Sequence, residues 1–177
     1  IRLAAQLRSG LFGVAYVLDE PSAGLHPVER SAVSELVRRF VEEGNSVLLV
    51  EHDMDLVAQA DWIVDVGPQA GERGGQIIYS GPLEDYLSAT NTAVLESPTR
   101  RALDERCALP FQEPRSDASA ESFIELKGLT ERNLKGDDIV IPRGKFTVLA
   151  GVSGSGKTTV LNALRTGYLE TQGVDKQ

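Results

Sequence analysis

Residues 151–158 have the sequence Gly-Val-Ser-Gly-Ser-Gly-Lys-Thr, and this stretch decides the fold of the chain around it. It matches the phosphate-loop pattern G-x-x-x-x-G-K-[ST] at every position. The glycines allow backbone N–H groups to turn inward around phosphate oxygens, and the positive end of the following helix dipole faces the same anion. An apolar run, Phe146–Ala150, precedes the loop. The stretch therefore predicts a nucleotide phosphate site between a buried strand and a helix.

The polar residues of this loop have separate expected tasks. Lys157 is expected to reach the β- and γ-phosphates, and Thr158 to hold Mg²⁺ through its hydroxyl. ATP and Mg²⁺ are therefore the predicted ligands. The residues that we expect to contact the nucleotide are consecutive or nearly so: Gly151, Ser153, Gly154, Ser155, Gly156, Lys157, Thr158 and Thr159.

A second motif lies upstream, where the apolar run Val14–Leu18 ends in two carboxylates, Asp19 and Glu20. Ligand crevices in open α/β sheets lie at the carboxyl ends of strands. An aspartate there can hold the water shell of a metal ion, and a neighbouring glutamate can polarise an attacking water. Taken alone, Asp-Glu-Pro is more typical of a solvated acidic turn, so the surrounding sequence has to decide.

The remaining sequence alternates short apolar runs with amphipathic stretches, which predicts an α/β fold with a parallel sheet. Residues 90–122 lack a helical period and are rich in Ser, Thr, Pro and charged residues, which predicts a linker. The predicted strands cover 14–18, 46–50, 62–66, 76–79, 123–126 and 146–150, and the predicted helices cover 1–9, 27–41, 54–59, 83–87 and 157–165. Asp53 is placed to cap the short helix over 54–59.

Composition narrows the class of protein. The net charge of −8 argues against a stand-alone nucleic-acid binder, which usually has a basic face. No apolar run has the length of a membrane span, and no signal peptide is visible, so we expect a cytoplasmic protein without membrane contact. The single cysteine, Cys107, fits a reducing compartment and cannot build a zinc site.

Several stretches resemble the ABC-type ATPases. Residues 17–26, VLDEPSAGLH, resemble their Walker B strand and D-loop, and residues 51–53, EHD, resemble their H-loop. The tripeptide GLH at 24–26 and the segment ADWIVDVGPQAGERGG at 60–75 resemble the UvrA family, the damage-recognition ATPases of bacterial nucleotide excision repair. Residues 133–135 and 146–158 resemble the start of the second ATPase domain of that family.

The resemblance implies roles for individual residues. Asp19 would be the acid on the Mg²⁺ side, Glu20 the catalytic base, and His52 the sensor of the γ-phosphate. His26 is equally compatible with a D-loop contact and with a packed residue where a helix starts. The D-loop, which in the family crosses to the partner domain, would be Ser22, Ala23, Gly24, Leu25 and His26.

The order of the motifs adds an expectation about domains. Within one ABC domain the phosphate loop precedes the acidic strand, whereas here Asp19 precedes Gly151. We therefore predict a P-loop NTPase of ABC ATPase type with parts of two tandem nucleotide-binding domains. Residues 1–89 would be the C-terminal part of the first (Walker B, D-loop, H-loop), 90–122 a linker, and 123–177 the N-terminal part of the second (Walker A).

This division has consequences for chemistry. Glu20 and Lys157 would serve different ATP sites, as would the metal ligands Asp19 and Thr158. The intact parent would be an ATPase, whereas the chain alone is expected to have no meaningful turnover. The family's zinc modules would lie elsewhere, because this segment carries no zinc ligands. A sheet that lacks its opening strands also exposes apolar edges, so we expect marginal stability.

The leading functional hypothesis is an ATP-binding and ATP-hydrolysing damage-recognition subunit of nucleotide excision repair, present here as a partial chain. Damaged duplex DNA, other excision-repair subunits and a second copy of the parent would be its partners. A UvrA-like ATPase for resistance to DNA-binding drugs is the main alternative, favoured by Ala23, the pair His26-Pro27 and the compact linker.

Two other classes fit less well. The motor subunit of an ABC transporter usually has an S-A-L-D type D-loop where this chain has SAGLH at 22–26. A tandem ribosome-associated ATPase has a long, helical, charged linker, whereas residues 90–122 contain three prolines, Pro98, Pro110 and Pro114.

Overall fold

Short apolar strands and amphipathic helices form a layered α/β structure. A computed structural model describes residues 13–106, 122–132 and 134–171. The predicted helix over 1–9, Cys107 and Asn133 lie outside the described residues. Within the described residues, no helix combines the length and the apolar character that crossing a membrane requires.

The described elements follow one another along the chain. The strands are β1 (Ala15–Asp19), β2 (Ser46–Val50), β3 (Trp62–Gly67), β4 (Gln76–Pro82), β5 (Phe123–Leu129), β6 (Asp137–Pro142) and β7 (Phe146–Ala150). The α-helices are α1 (Pro27–Glu42), α2 (Met54–Val57), α3 (Leu83–Ser88), α4 (Thr92–Leu95), α5 (Pro98–Arg106) and α6 (Lys157–Thr171), and a 3₁₀ helix spans Gly71–Arg73.

The main sheet has the strand order β1-β2-β7-β3-β4. The first four strands of that order are parallel, and β4 pairs antiparallel with β3. Strands β5 and β6 form a separate antiparallel pair. The strand before the phosphate loop, β7, is therefore the central strand, and every one of its residues is buried.

Two apolar clusters cover the two faces of this sheet. On one face, α1 packs Val37 and Phe40 against the strands, and the Phe40 ring stacks on Tyr16 with ring centroids 4.3 Å apart. On the other face, Ile139 of β6 and Val160 of α6 pack over the sheet. Side chains of β7 alternate between the clusters, as the period of a strand requires, so this strand is buried from both sides.

The mixed α/β fold with a parallel sheet is confirmed. The predicted strands 46–50 and 146–150 coincide with β2 and β7, and Asp53 caps α2 by accepting a hydrogen bond from the Asp55 N–H. Strands β3, β4 and β5 and helix α6 extend beyond their predicted ends. Strand β6 was not predicted, since Asp137 and Asp138 open it and Pro142 closes it.

The structure differs from the sequence expectation over the predicted linker. Residues 92–95 and 98–106 are helical, and Val94 and Leu103 within them are fully buried. Each helix is too short to show a sustained period, so its burial depends on contacts that local sequence does not display. The described part of 90–122 thus begins as packed structure rather than as a free connection.

Candidate nucleotide-binding site

Residues 151–156 leave the central strand β7 and lead into α6. Gly151, Gly154 and Gly156 have φ values of 138°, 76° and 111°, in the region that favours glycine. Lys157 begins the helix, and its Nζ donates to the carbonyl oxygens of Gly151 at 2.9 Å and Val152 at 3.0 Å.

The surroundings of Lys157 shift the pKa of its ammonium group. Burial lowers the pKa of the Lys157 ammonium, and the nearby carboxylates of Glu20, Asp19 and Asp65 act in the opposite direction. An anion in direct contact with a buried ammonium stabilises its charged form more than carboxylates at longer range do. This electrostatic arrangement fits a phosphate group.

Five other residues that are predicted to contact the nucleotide divide into an exposed and a buried group. Ser153, Gly154 and Thr158 are exposed, whereas Ser155 and Thr159 are buried. The buried Ser155 Oγ has no hydrogen-bond partner among the described residues. A buried hydroxyl without a partner is costly, and a phosphate oxygen would satisfy it. The loop therefore fits the nucleotide phosphates that its sequence predicts.

The acidic strand end lies beside the H-loop. Strands β1 and β2 are parallel neighbours, so their carboxyl ends meet, and the Glu20 N–H donates to the Val50 carbonyl oxygen at 2.9 Å. Glu20 has φ 45°, which turns the chain sharply after Asp19. The His52 Nδ1 lies 3.6 Å from the Glu20 Oε1, and both side chains are about half exposed. The structure thus brings the predicted base and sensor together.

The predicted D-loop forms a tight turn after β1. Ala23 N–H donates to the Glu20 carbonyl, and Leu25 N–H to the Ser22 carbonyl, each at 3.1 Å. His26 N–H donates to the Glu29 Oε2 at 2.9 Å, which places His26 where α1 starts. Ser22 is buried, and Ala23 and Gly24 are exposed.

Glu51 is a structural residue of the site for which the sequence patterns predict no separate role. It is fully buried at the end of β2. Its Oε1 accepts from the Ser22 N–H at 3.0 Å, and its Oε2 accepts from the N–H groups of His52 at 3.2 Å and Asp53 at 3.3 Å. One carboxylate therefore ties the D-loop to the H-loop. Its signal in the sequence is a carboxylate directly after a fully apolar strand.

Asp65 is a second buried carboxylate that the sequence reasoning missed. It lies on β3 opposite Ala150, the last residue before the phosphate loop. It accepts hydrogen bonds from the hydroxyls of Tyr86 at 2.8 Å, Ser97 at 2.5 Å and Thr99 at 3.1 Å. Burial raises the pKa of the Asp65 carboxyl, and these hydroxyls oppose the rise. In the sequence, Asp65 is recognisable only as the one acidic residue of an otherwise apolar strand.

All these groups share one edge of the sheet. Strands β1, β2, β7 and β3 are parallel, so the acidic pair, His52 and the phosphate loop all follow carboxyl ends at that edge. The separate ATP sites that motif order predicts for Glu20 and Lys157 stay a prediction. Within this chain β7 lies between β2 and β3, so the phosphate loop and the acidic pair follow strands of one sheet.

The Mg²⁺ ligands that the sequence predicts lie at this edge of the sheet. In the described ranges, no group of three or more His, Cys, Asp or Glu side chains is close enough together to hold a metal ion. Mg²⁺ usually binds one or two protein ligands together with phosphate oxygens and water. Asp19 and Thr158 stand at the same edge as potential ligands of that kind.

Comparison with known proteins gives one consistent set of relatives, although no family model matches the chain. The chain is 44% identical to UvrABC system protein A of Paucimonas lemoignei over 164 residues, which is 92% of this chain and 23% of that protein. It is 43% identical to the Micrococcus luteus protein of the same name, over 93% of this chain and 16% of that protein. The Mycobacterium tuberculosis protein of that name is 42% identical over 96% of this chain.

A solved structure agrees with these sequences. UvrA2 from Deinococcus radiodurans matches 97% of this chain and 20% of its own, with a TM-score of 0.52 and 44% identity. The chain spans only about a fifth of the length of the proteins that it matches. These matches confirm the resemblance to the UvrA family: along nearly all of its length, the chain corresponds to a small part of a UvrA-type protein.

Proposed function

We propose that this chain is the ATP-binding part of a UvrA-type damage-recognition protein of nucleotide excision repair. The observation that carries the proposal is the phosphate loop of residues 151–158, seated on a buried central strand and entering α6 at Lys157. Identity of 42–44% with UvrABC system protein A supports the assignment to excision repair. Damaged duplex DNA, the other excision-repair subunits and a second copy of the parent are its proposed partners.

The residues of the site have distinct proposed roles. Lys157 turns from the loop carbonyl oxygens to the β- and γ-phosphates, while loop N–H groups surround the phosphate oxygens. Thr158 and Asp19 hold Mg²⁺, which neutralises phosphate charge when it is bound. In the intact parent protein, Glu20 would accept a proton from the attacking water, and His52 would contact the γ-phosphate.

A single nucleotide site is the arrangement that we propose for the chain itself. Its support is the common edge of β1, β2 and β7, and the electrostatic effect of Glu20 and Asp19 on Lys157. In the longer parent, the tandem arrangement of two ATPase domains remains the proposal from motif order. Turnover in that family needs the signature segment of a facing domain, so we expect the chain alone to bind ATP without appreciable hydrolysis.

ATP binding to the purified chain tests this proposal directly. Titration with a fluorescent ATP analogue and Mg²⁺ should give saturable binding. Lys157→Ala removes a charged hydrogen-bond donor, worth about 1.5–3 kcal/mol, so we expect the Kd to rise about 10-fold to 100-fold. Lys127→Ala is the matched control, because Lys127 is an exposed residue of β5 that pairs with Glu125.

Two results would contradict the proposal. One is the absence of saturable binding by the wild-type chain, and the other is an unchanged Kd in Lys157→Ala. A gel-shift comparison of damaged and undamaged duplexes, with and without ATP, tests the repair role in the longer parent protein. Equal affinity for both duplexes under both conditions would argue against damage recognition.

A further inference from the structure

We infer that the glycine-rich segment of residues 67–75, GPQAGERGG, is a brace that positions the phosphate loop for nucleotide binding. This inference rests on the proposed function, since it assigns a role to residues outside the loop in the same ATP site. The segment follows β3 and contains the 3₁₀ helix Gly71–Arg73. None of its residues belongs to the ligand set that the sequence predicts.

Backbone hydrogen bonds connect this brace to the loop. The Gly71 N–H donates to the Gly154 carbonyl oxygen at 3.1 Å, and the Gly75 N–H donates to the Ser155 carbonyl oxygen at 2.8 Å. A carbonyl oxygen directed at a phosphate would repel it, whereas one bonded to the brace is directed away. The brace therefore helps leave the inner side of the loop to N–H groups, which attract the anion.

The two segments also approach too closely for side chains at two positions. A Cβ at Gly74 would collide with the Gln69 carbonyl oxygen and would lie 3.2 Å from the Ser155 Cα. A Cβ at Gly151 would collide with the carbonyl oxygen of Val66, just before the brace begins. Glycine at both positions allows the backbones to touch, so a displacement of the brace is passed directly to the loop.

The far end of the brace is fixed to a second part of the molecule. The Lys135 N–H donates to the Gly75 carbonyl oxygen at 3.2 Å, and Asp137 Oδ2 accepts from the Ile77 N–H at 2.8 Å. The brace thus starts from β3 in the main sheet and is held at its end by residues at the start of β6. A segment anchored at both ends can hold the loop in one geometry, which accurate ligand placement requires.

Gly74→Ala tests the brace because the added methyl group would collide with the Gln69 carbonyl oxygen inside the brace and would press on Ser155 of the loop. Gly74 has φ −96°, which alanine adopts without strain, so the added methyl group acts only through collision. We expect a folded chain whose Kd for the fluorescent ATP analogue rises at least about fivefold. A smaller rise in a folded variant overturns the inference.

Gly44→Ala is the matched control. Gly44 has φ 82° with open space around it, and it precedes β2 at the opposite edge of the sheet. Alanine there strains the backbone, so the melting temperature should fall while the Kd for ATP stays unchanged. Failure of the wild-type chain to bind ATP would contradict the proposed function instead, and is thereby distinguished from failure of the brace.

Amide exchange of the wild-type chain tests the same contact without any substitution, and decides the matter if Gly74→Ala does not fold. The Gly75 amide should exchange with solvent water much more slowly than an amide in an unstructured peptide, and more slowly still with ATP bound. Exchange of Gly75 at the rate of an unstructured peptide would overturn the inference.

Discussion

The centre and the edge of the main sheet provide different halves of the proposed site. Strand β7 is paired on both sides, all five of its residues are buried, and it presents the phosphate loop. Strand β1 pairs with β2 alone in the described part of the sheet, has no fully buried residue, and presents Asp19 and Glu20. The half that would hold the phosphates follows a buried strand, and the half with the proposed base follows a partly exposed strand.

The two halves of the proposed site are held in place by different kinds of contact. The phosphate loop is held by its strand, its helix and the brace, so its shape depends on packing. Glu20 and His52 depend on a backbone turn and on Glu51, and both side chains keep about half of their surface in solvent. Changes at the centre should therefore alter stability and binding, whereas changes at the edge should alter mainly electrostatics.

The same substitution on each strand gives the largest expected contrast. Val148→Ala in β7 removes two methyl groups from a fully buried site, which should lower the free energy of unfolding by about 2–3 kcal/mol. Val17→Ala in β1, where the valine is 42% exposed, should cost less than about 1 kcal/mol. Urea denaturation measures both, and equal losses would show that β7 is not central in solution.

Asp65 of β3 allows the centre and the edge of the sheet to be compared through the pH dependence of the free energy of unfolding. Because burial raises the pKa of Asp65 above 3.8 in the folded chain, its contribution to stability is present at low pH and is lost as the pH rises through the folded value. Asn cannot ionise, so Asp65→Asn should lose about 0.5–1.5 kcal/mol of hydrogen bonding at low pH. Relative to wild type, the variant should then recover stability as the pH rises.

Unfolding free energies of both proteins across the acid range would test this expectation. Asp19→Asn is the control from the edge of the sheet, where the side chain is exposed, and it should change the free energy of unfolding by less than about 0.5 kcal/mol. A stability difference between Asp65→Asn and wild type that is constant with pH would contradict the assignment of Asp65 as a buried titrating group.

Glu20→Gln tests whether the two halves share one nucleotide, and its expected effect is the smallest. Removing a carboxylate near Lys157 removes a repulsion of the phosphates, so the Kd for ATP should fall about twofold to fivefold at low salt. Salt should weaken the effect because the group is half exposed. An unchanged Kd would support separate sites, as motif order predicts, and Glu43→Gln at the opposite edge is the control.

Local patterns predicted the parts of the fold that local sequence determines. The run Phe146–Ala150, the loop after it and the cap at Asp53 depend on residues within a few positions of one another. Local patterns do not predict which strands pair, because the register of β7 with β2 and β3 is set by residues far apart in the chain. The buried carboxylates Glu51 and Asp65 were missed for the same reason, since their hydrogen-bond donors come from distant segments.

The position of β7 has a consequence for the order in which the molecule assembles. Its neighbours β2 and β3 are complete about 80–100 residues before it is synthesised, as the hydrogen bond between Gly144 and Ser46 across 98 residues illustrates. Until β7 is synthesised, the strand that joins the pair β1–β2 to the pair β3–β4 within the sheet is absent. Closing such a distant contact is slow, and apolar surface stays uncovered meanwhile. We therefore expect folding to proceed from the outer strands of the sheet inward, so that the segment that forms the phosphate loop also completes the core.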